Sequence, residues 1–309
     1  MFGYDEVRAA AGRIGGRVRP VVLAPGGERL WFALEFLQHT GSFKARGALN
    51  FTAAQRAAGR LPAAGIAIAS GGNAGLAAAW AAGRQGVRAT VFVPTTAPPV
   101  KVARLRALGA EVRQVGAEYA EAAEACAAFV AESGAAASHA YDHPLIAAGA
   151  GTLVDEILAA RPTITTVVVS VGGGGLLAGV ATAAEARGLR VVAVEPEGSR
   201  ALHAALTAGE PVDVPVSSVA ADSLGARRVS ADALRAARQP QVHSVLVSDD
   251  AIVAARGRLW HEHRLAVEHA AATALAGTPA PTPAEETCVI LCGANTDPTD
   301  LTPPGTGTA

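Results

Sequence analysis

Val171-Gly172-Gly173-Gly174-Gly175-Leu176-Leu177-Ala178-Gly179 lies between an apolar stretch beginning at Thr166 and a run of helix-forming residues that reaches Ala186. Where a strand ends in four glycines and turns into a helix, no Cβ shields the backbone. Successive N–H groups can then converge on an anion at the helix N-terminus, where the dipole adds to the attraction. This is the pattern of a phosphate cup. It suits more than one ligand, because Gly173-x-Gly175-x-x-Ala178 also satisfies a dinucleotide fingerprint, with Glu195 ending the next strand where a ribose-binding acid would stand. An NAD-binding oxidoreductase is therefore the competing reading from a different class, although four successive glycines exceed what the dinucleotide turn requires.

Strands and helices alternate on both sides of this turn. Residues 65–70, 89–93 and 111–115 read as strands, each followed by a helix, over 75–84, 100–108 and 117–132. A second series has a helix over 151–160, the strand 166–171, a helix over 176–186 and the strand 191–195. Helices follow over 200–208, 230–237 and 249–264, then one ending at Ala276 and a last strand over 288–292. Such alternation predicts an α/β fold of parallel sheets with crossover helices. The first series is expected to form a small domain, residues 60–135, and the two chain ends, 1–59 and 136–309, a larger one. Residues 277–286 read as a linker, and the Thr-, Pro- and Gly-rich tail after about 298 as disordered.

The chain has 309 residues, 50% of them hydrophobic, with 26 basic and 27 acidic side chains. That near balance creates no long-range field to collect nucleic acid or anionic lipid, so neither is expected as a partner. The N-terminal stretch has Asp5 and Glu6 early and lacks a continuous apolar segment, which points to a cytoplasmic protein. Cys126, Cys288 and Cys292 make no disulfide framework. The basic residues are unevenly divided: 24 are arginines, and the two lysines are Lys44 and Lys101. A lysine retained among arginines is a candidate for chemistry that a guanidinium cannot do, since an amine can lose its proton when desolvated and act as a nucleophile.

Lys44 lies in Thr40-Gly41-Ser42-Phe43-Lys44-Ala45-Arg46-Gly47-Ala48, beside a small polar turn and an aromatic ring. A third segment, Ala69-Ser70-Gly71-Gly72-Asn73-Ala74-Gly75, is a strand-to-helix loop of small residues with one amide side chain. Its N–H groups suit a carboxylate, and Asn73 suits a ring oxygen; a plain helix cap explains the same residues equally well.

In this order, the three segments resemble the fold-type II pyridoxal-phosphate enzymes, in particular the serine/threonine dehydratase family that also contains serine racemase. The resemblance runs from Arg19-Pro20 to Asp297. It includes Tyr141-Asp142-His143-Pro144-Leu145, Gly149-x-Gly151-Thr152, Val194-Glu195-Pro196, Ser223-Leu224-Gly225 and Leu291-Cys292-Gly293-Ala294-Asn295. It implies two open α/β domains with the cofactor, pyridoxal 5′-phosphate, in the cleft between them, and a homodimer. Lys44 would form the Schiff base with the cofactor, Phe43 flank its ring, and Asn73 bond the ring 3-oxygen. Gly172, Gly173, Gly174, Gly175 and Leu176 would hold the phosphate, and Cys292 would face the pyridine nitrogen. Ser70, Gly71, Gly72, Asn73 and Ala74 would bind the amino-acid substrate.

The implied reaction is α,β-elimination from L-threonine or L-serine to the 2-oxo acid and ammonia. Elimination or replacement on another 3-substituted amino acid, such as 3-hydroxyaspartate or phenylserine, is the alternative within the same chemistry. Racemases of the family carry a serine where Gly71 stands here, so inversion at Cα lacks its second proton donor and weak or absent racemase activity is expected. The racemase metal site pairs a glutamate with an aspartate six residues on. Glu195 matches the first, but Ala201 occupies the second position, so one hard oxygen ligand is missing.

Overall fold

The structure is a computed structural model that describes residues 2–280, 282 and 285–301. Among the described residues ten strands form two sheets: β1 (Leu23–Gly27), β2 (Leu30–Ala33), β3 (Ile66–Ala69), β4 (Ala89–Val93), β5 (Glu111–Gln114), β6 (Ala136–Ala137), β7 (Thr166–Ser170), β8 (Arg190–Pro196), β9 (Val242–Val247) and β10 (Thr287–Ile290). The larger sheet runs β1-β2-β10-β7-β8-β9 and is parallel except for the β1–β2 pair; the smaller runs β5-β4-β3-β6 and is parallel throughout. Strands β7 and β10 are buried at every residue and read Thr-Val-Val-Val-Ser and Thr-Cys-Val-Ile, as expected of central strands covered by helices on both faces. Among the described residues no helix is long and apolar enough to cross a membrane.

Three helices set the frame of the cleft: Lys44–Ala57, Pro144–Ala160 and Gly175–Arg187. They touch backbone to backbone. A Cβ on Gly149 would lie 2.6 Å from the Arg46 carbonyl oxygen, and one on Gly179 would lie 2.1 Å from that of Ala147. In the Gly149-x-Gly151-Thr152 motif, Gly149 and Thr152 thus seat the Lys44 helix and Gly151 seats the Gly175–Arg187 helix, and a larger residue at either glycine would push its neighbour away.

Three expectations need correction. The middle helix starts at Pro144 rather than at residue 151, with Pro in its first turn and the His143 Nδ1 accepting from the Leu145 N–H at 3.0 Å. The antiparallel β1–β2 hairpin and strand β9 were not anticipated, because Leu23–Gly27 carries Pro and two glycines and Val242–Val247 is half solvated. The chain after residue 298 does not fray at once: Pro298–Leu301 forms a 3₁₀ turn with Leu301 buried, while residues 302–309 of the expected disordered tail lie outside the described residues.

Candidate active site

Lys44 opens its helix directly after the bend at Thr40, whose φ is +64°, and the Gly41 turn. Its Nζ donates to the Ala140 carbonyl at 3.3 Å and sits 4.7 Å from the centre of the Phe43 ring. Burial draws the Lys44 pKa below that of an ordinary lysine, and the acidic groups Cys292 and Glu268 pull it back only in part. The helix below is pinned by Arg46, which is fully buried. Its guanidinium binds Glu35 through two bonds of 2.8 Å and Glu156 through bonds of 2.6 and 2.9 Å. Removing one member of such a network strands a buried charge, at about 3–5 kcal/mol.

The cup is walled on every side. Gly174 has φ +87°, and a Cβ there would lie 2.2 Å from the Ala233 Cβ; one on Gly173 would lie 2.3 Å from the Tyr141 ring. Tyr141 in turn is held by its hydroxyl, which donates to the Arg228 carbonyl at 3.1 Å. No side chain caps the first turn of Gly175–Arg187, so its N–H groups face the cavity. Lining that cavity together are Lys44, Phe43, Asn73, Gly172 to Leu176 and Cys292. Ser70, Gly71, Gly72 and Ala74 follow β3 into the Asn73–Gln85 helix, whose first turn is likewise without a side-chain cap; Gly71 and Gly72 line an adjoining pocket with Asn73.

Cys292 lies 3.7 Å from the Ser170 hydroxyl, and burial pushes its thiol pKa up to about 12. It is therefore a neutral group at physiological pH. Glu195 is fully buried, its oxygens accepting from the backbone N–H groups of Leu202 at 2.7 Å and His203 at 2.9 Å. It is occupied as the cap of the Ala201–Ala208 helix, so it cannot serve as the ribose acid that the dinucleotide reading needs. Burial lifts its pKa to about 7 against those two bonds. Among the described residues no group of three or more His, Cys, Asp or Glu is placed to hold a metal ion.

Two residues escaped the sequence reading. Glu268 lines the same cavity, is almost fully buried, and accepts from Asn73 Nδ2 at 2.9 and 3.0 Å. Burial raises its pKa, with Asn73 and Lys44 opposing. The signal was available: it is the one acid in the apolar run Leu265-Ala-Val-Glu268-His-Ala-Ala-Ala-Thr-Ala-Leu-Ala276. His139 accepts from the N–H groups of Tyr141 at 3.2 Å and Asp142 at 2.8 Å through Nδ1, leaving Nε2 as its donor, and burial lowers its pKa. Asp142 of the same motif is held through its N–H by His139, and His143 caps the Pro144–Ala160 helix.

The residues present suit pyridoxal phosphate. An amine with a lowered pKa meets its aldehyde, a bare helix N-terminus behind a Cβ-free cradle meets its phosphate, and an amide and a thiol remain for the ring. Comparison with known proteins agrees. The chain is 36% identical over 285 residues to the L-threonine ammonia-lyase of Geobacter sulfurreducens, covering 89% of this chain and 70% of that protein. It is 38% identical over 277 residues to the phenylserine dehydratase of Ralstonia pickettii, covering 86% and 82%. The structure of maize serine racemase superposes with a TM-score of 0.89 at 28% identity, covering 97% of this chain and 95% of that one. The family profile described as pyridoxal-phosphate dependent enzyme matches residues 15–293, which take in the lysine, the cup and the thiol alike, and the chain belongs to that family.

Proposed function

We propose that the chain is an ammonia-lyase that converts L-threonine or L-serine to the corresponding 2-oxo acid and ammonia. The observation that carries the reading is the convergence of Lys44, the glycine cup, Asn73 and Cys292 on one cavity. In this assignment Lys44 anchors the cofactor, Gly172, Gly173, Gly174, Gly175 and Leu176 hold its phosphate, and Phe43, Asn73 and Cys292 surround its ring. Ser70, Gly71, Gly72, Asn73 and Ala74 bind the substrate carboxylate through backbone N–H groups.

When bound, the cofactor supplies an electron sink for charge released at the substrate Cα. Lys44 is the one basic side chain among the described residues lining the cavity, and its lowered pKa favours the neutral amine that can take the α-proton. The neutral Cys292 thiol stabilises positive charge on the ring less than a carboxylate would, which favours prompt loss of the β-hydroxyl over transamination. Gly71 offers no proton donor opposite Lys44, so elimination dominates over racemisation. The amino acid loses water, and hydrolysis of the product releases ammonia, with no net redox change.

Purified protein should be yellow, and borohydride reduction followed by peptide mapping should find the label on Lys44. L-threonine, L-serine, 3-hydroxyaspartate and phenylserine, tested for 2-oxo acid formation, rank the substrates, and Lys44→Ala should lower turnover by at least about a thousandfold. A colourless protein that ignores pyridoxal phosphate would sink the reading. If phenylserine alone is turned over, the chemistry stands and the threonine or serine assignment falls. We extend the proposal to a cytoplasmic homodimer built of domains 60–135 and 1–59 with 136–309; sedimentation, cell fractionation and limited proteolysis test these three points.

A further inference from the structure

Asn73 belongs to a hydrogen-bonded chain whose direction is fixed at both ends. The Asn295 Nδ2 donates to the Thr40 carbonyl at 2.7 Å, and the Arg104 guanidinium donates to the Asn295 Oδ1. A carbonyl can only accept and a guanidinium can only donate, so the Asn295 amide has one orientation. Its Nδ2 also donates to Asn73 Oδ1 at 2.7 Å. Asn73 Nδ2 must then point the other way, where the Glu268 carboxylate accepts from it at 2.9 and 3.0 Å. The chain is also boxed sterically: a Cβ on Gly41 would lie 2.8 Å from Asn295 Oδ1, and one on Gly293 would lie 2.2 Å from Glu268 Oε1. Neither amide has partners for a flip.

We infer that Glu268 is a positioning residue which, acting through Asn73, holds one amide N–H of that side chain for the cofactor ring while Asn295 blocks the reversed amide. The inference rests on the assignment of Asn73 to the cofactor made above. An amide NH₂ has two hydrogens; Glu268 takes one and sets the direction of the other. Two Glu268 oxygens meet Asn73 Nδ2 where a single Asn295 N–H meets its Oδ1, so the carboxyl end governs the orientation.

The test uses the holoenzyme and reads the cofactor dissociation constant and the visible band, with the melting temperature as control. Glu268→Ala should weaken cofactor binding about tenfold and shift the band. Glu268→Gln, which keeps an oxygen acceptor, should restore affinity to within about threefold of wild type. Asn73→Ala combined with Glu268→Ala should be no worse than Asn73→Ala alone, since one acts through the other. Asn295→Asp, nearly isosteric, sets an oxygen against Asn73 Oδ1 and should weaken binding about as much as Glu268→Ala, which keeps the idea testable if that variant does not fold. Wild-type affinity and band in Glu268→Ala or Asn295→Asp, or additive losses in the double variant, would overturn the inference. Failure of the wild type to bind pyridoxal phosphate would instead overturn the functional assignment beneath it.

Discussion

Two strand–turn–helix units face each other across the cleft, one from each sheet: β7 leading through Gly172 to Gly175, and β3 leading through Ser70 to Asn73. Both end in a helix whose first turn no side chain caps, and both depend on glycine. They differ in what stands behind the glycines. Tyr141, Ala233 and Leu224 leave no room for a methyl at Gly173 or Gly174 and little at Gly172, whereas a Cβ on Gly72 meets nothing within 4 Å and one on Gly71 meets only Val93 Cγ1 at 3.2 Å and its Cβ at 4.0 Å. The cup is built to hold a single unchanging group. The β3 loop has slack, as a site must where substrate enters, leaves and differs between related enzymes.

The sharpest way to break this contrast is Gly174→Ala. The methyl would need a left-handed backbone and would lie 2.2 Å from the Ala233 Cβ. Strain and overpacking together should cost about 3 kcal/mol of stability. Displacing the cup by even a few tenths of an ångström misaligns its N–H groups, so cofactor affinity should fall about a hundredfold, the equivalent of about one hydrogen bond to a charged group. Thermal melting of the apoprotein and a cofactor titration measure the two effects separately. An unchanged affinity would mean that the walls are incidental and the cup tolerates movement.

On the other side, Gly71→Ser should be accommodated. Val93 Cγ1 must yield slightly, which is within reach of a side-chain adjustment, and stability should drop by about 1 kcal/mol or less. In the assignment proposed above, the new hydroxyl would face the side of the substrate opposite Lys44. Elimination should stay within about tenfold of wild type while D-serine appears from L-serine at a rate the wild type does not show, read by chiral chromatography. If no D-serine forms, and none forms when Val93→Ala relieves the crowding, the hydroxyl is not placed on the second face and the account of Gly71 is wrong.

The contrast also marks how far the sequence could be read. Lys44, Asn73 and the four glycines each sit in a short segment whose residue types already suggest a chemistry, Cys292 was marked by the family resemblance alone, and folding brings them to one cavity. What escaped was pairing over distance. The acidic partners of Arg46 lie 11 and 110 positions away and that of Asn73 lies 195 away, so Glu35 and Glu156 carry no local mark of their role, and Glu268, marked as the one acid of an apolar run, gives no local sign of its partner. Glu195 stood out as an acid at a Val-Glu-Pro strand end, read as a ribose or metal ligand, but its two N–H donors come from a helix that begins six residues later, and only the fold shows the carboxylate spent there. The start of the Pro144 helix was a different kind of miss: His143-Pro144 is a local capping signal, passed over because the same residues belonged to a motif read for function.

The smallest expected effect is also the most pointed, because it repeats the glycine-to-alanine change at the other helix N-terminus. Gly72 has φ −101°, a backbone that alanine adopts, and its Cβ would enter open space. Alanine is a poorer N-cap than glycine by about 0.5–1 kcal/mol, so Gly72→Ala should shift the melting temperature by about 2 °C or less. Cofactor affinity should stay within about twofold, since nothing in the cup is touched. The space that receives the methyl is the space assigned to the amino-acid carboxylate, so KM should rise about threefold with kcat nearly unchanged. A loss of cofactor affinity like that of Gly174→Ala would show that the two turns move as one body, and the division between a fixed cofactor end and a yielding substrate end would have to be given up.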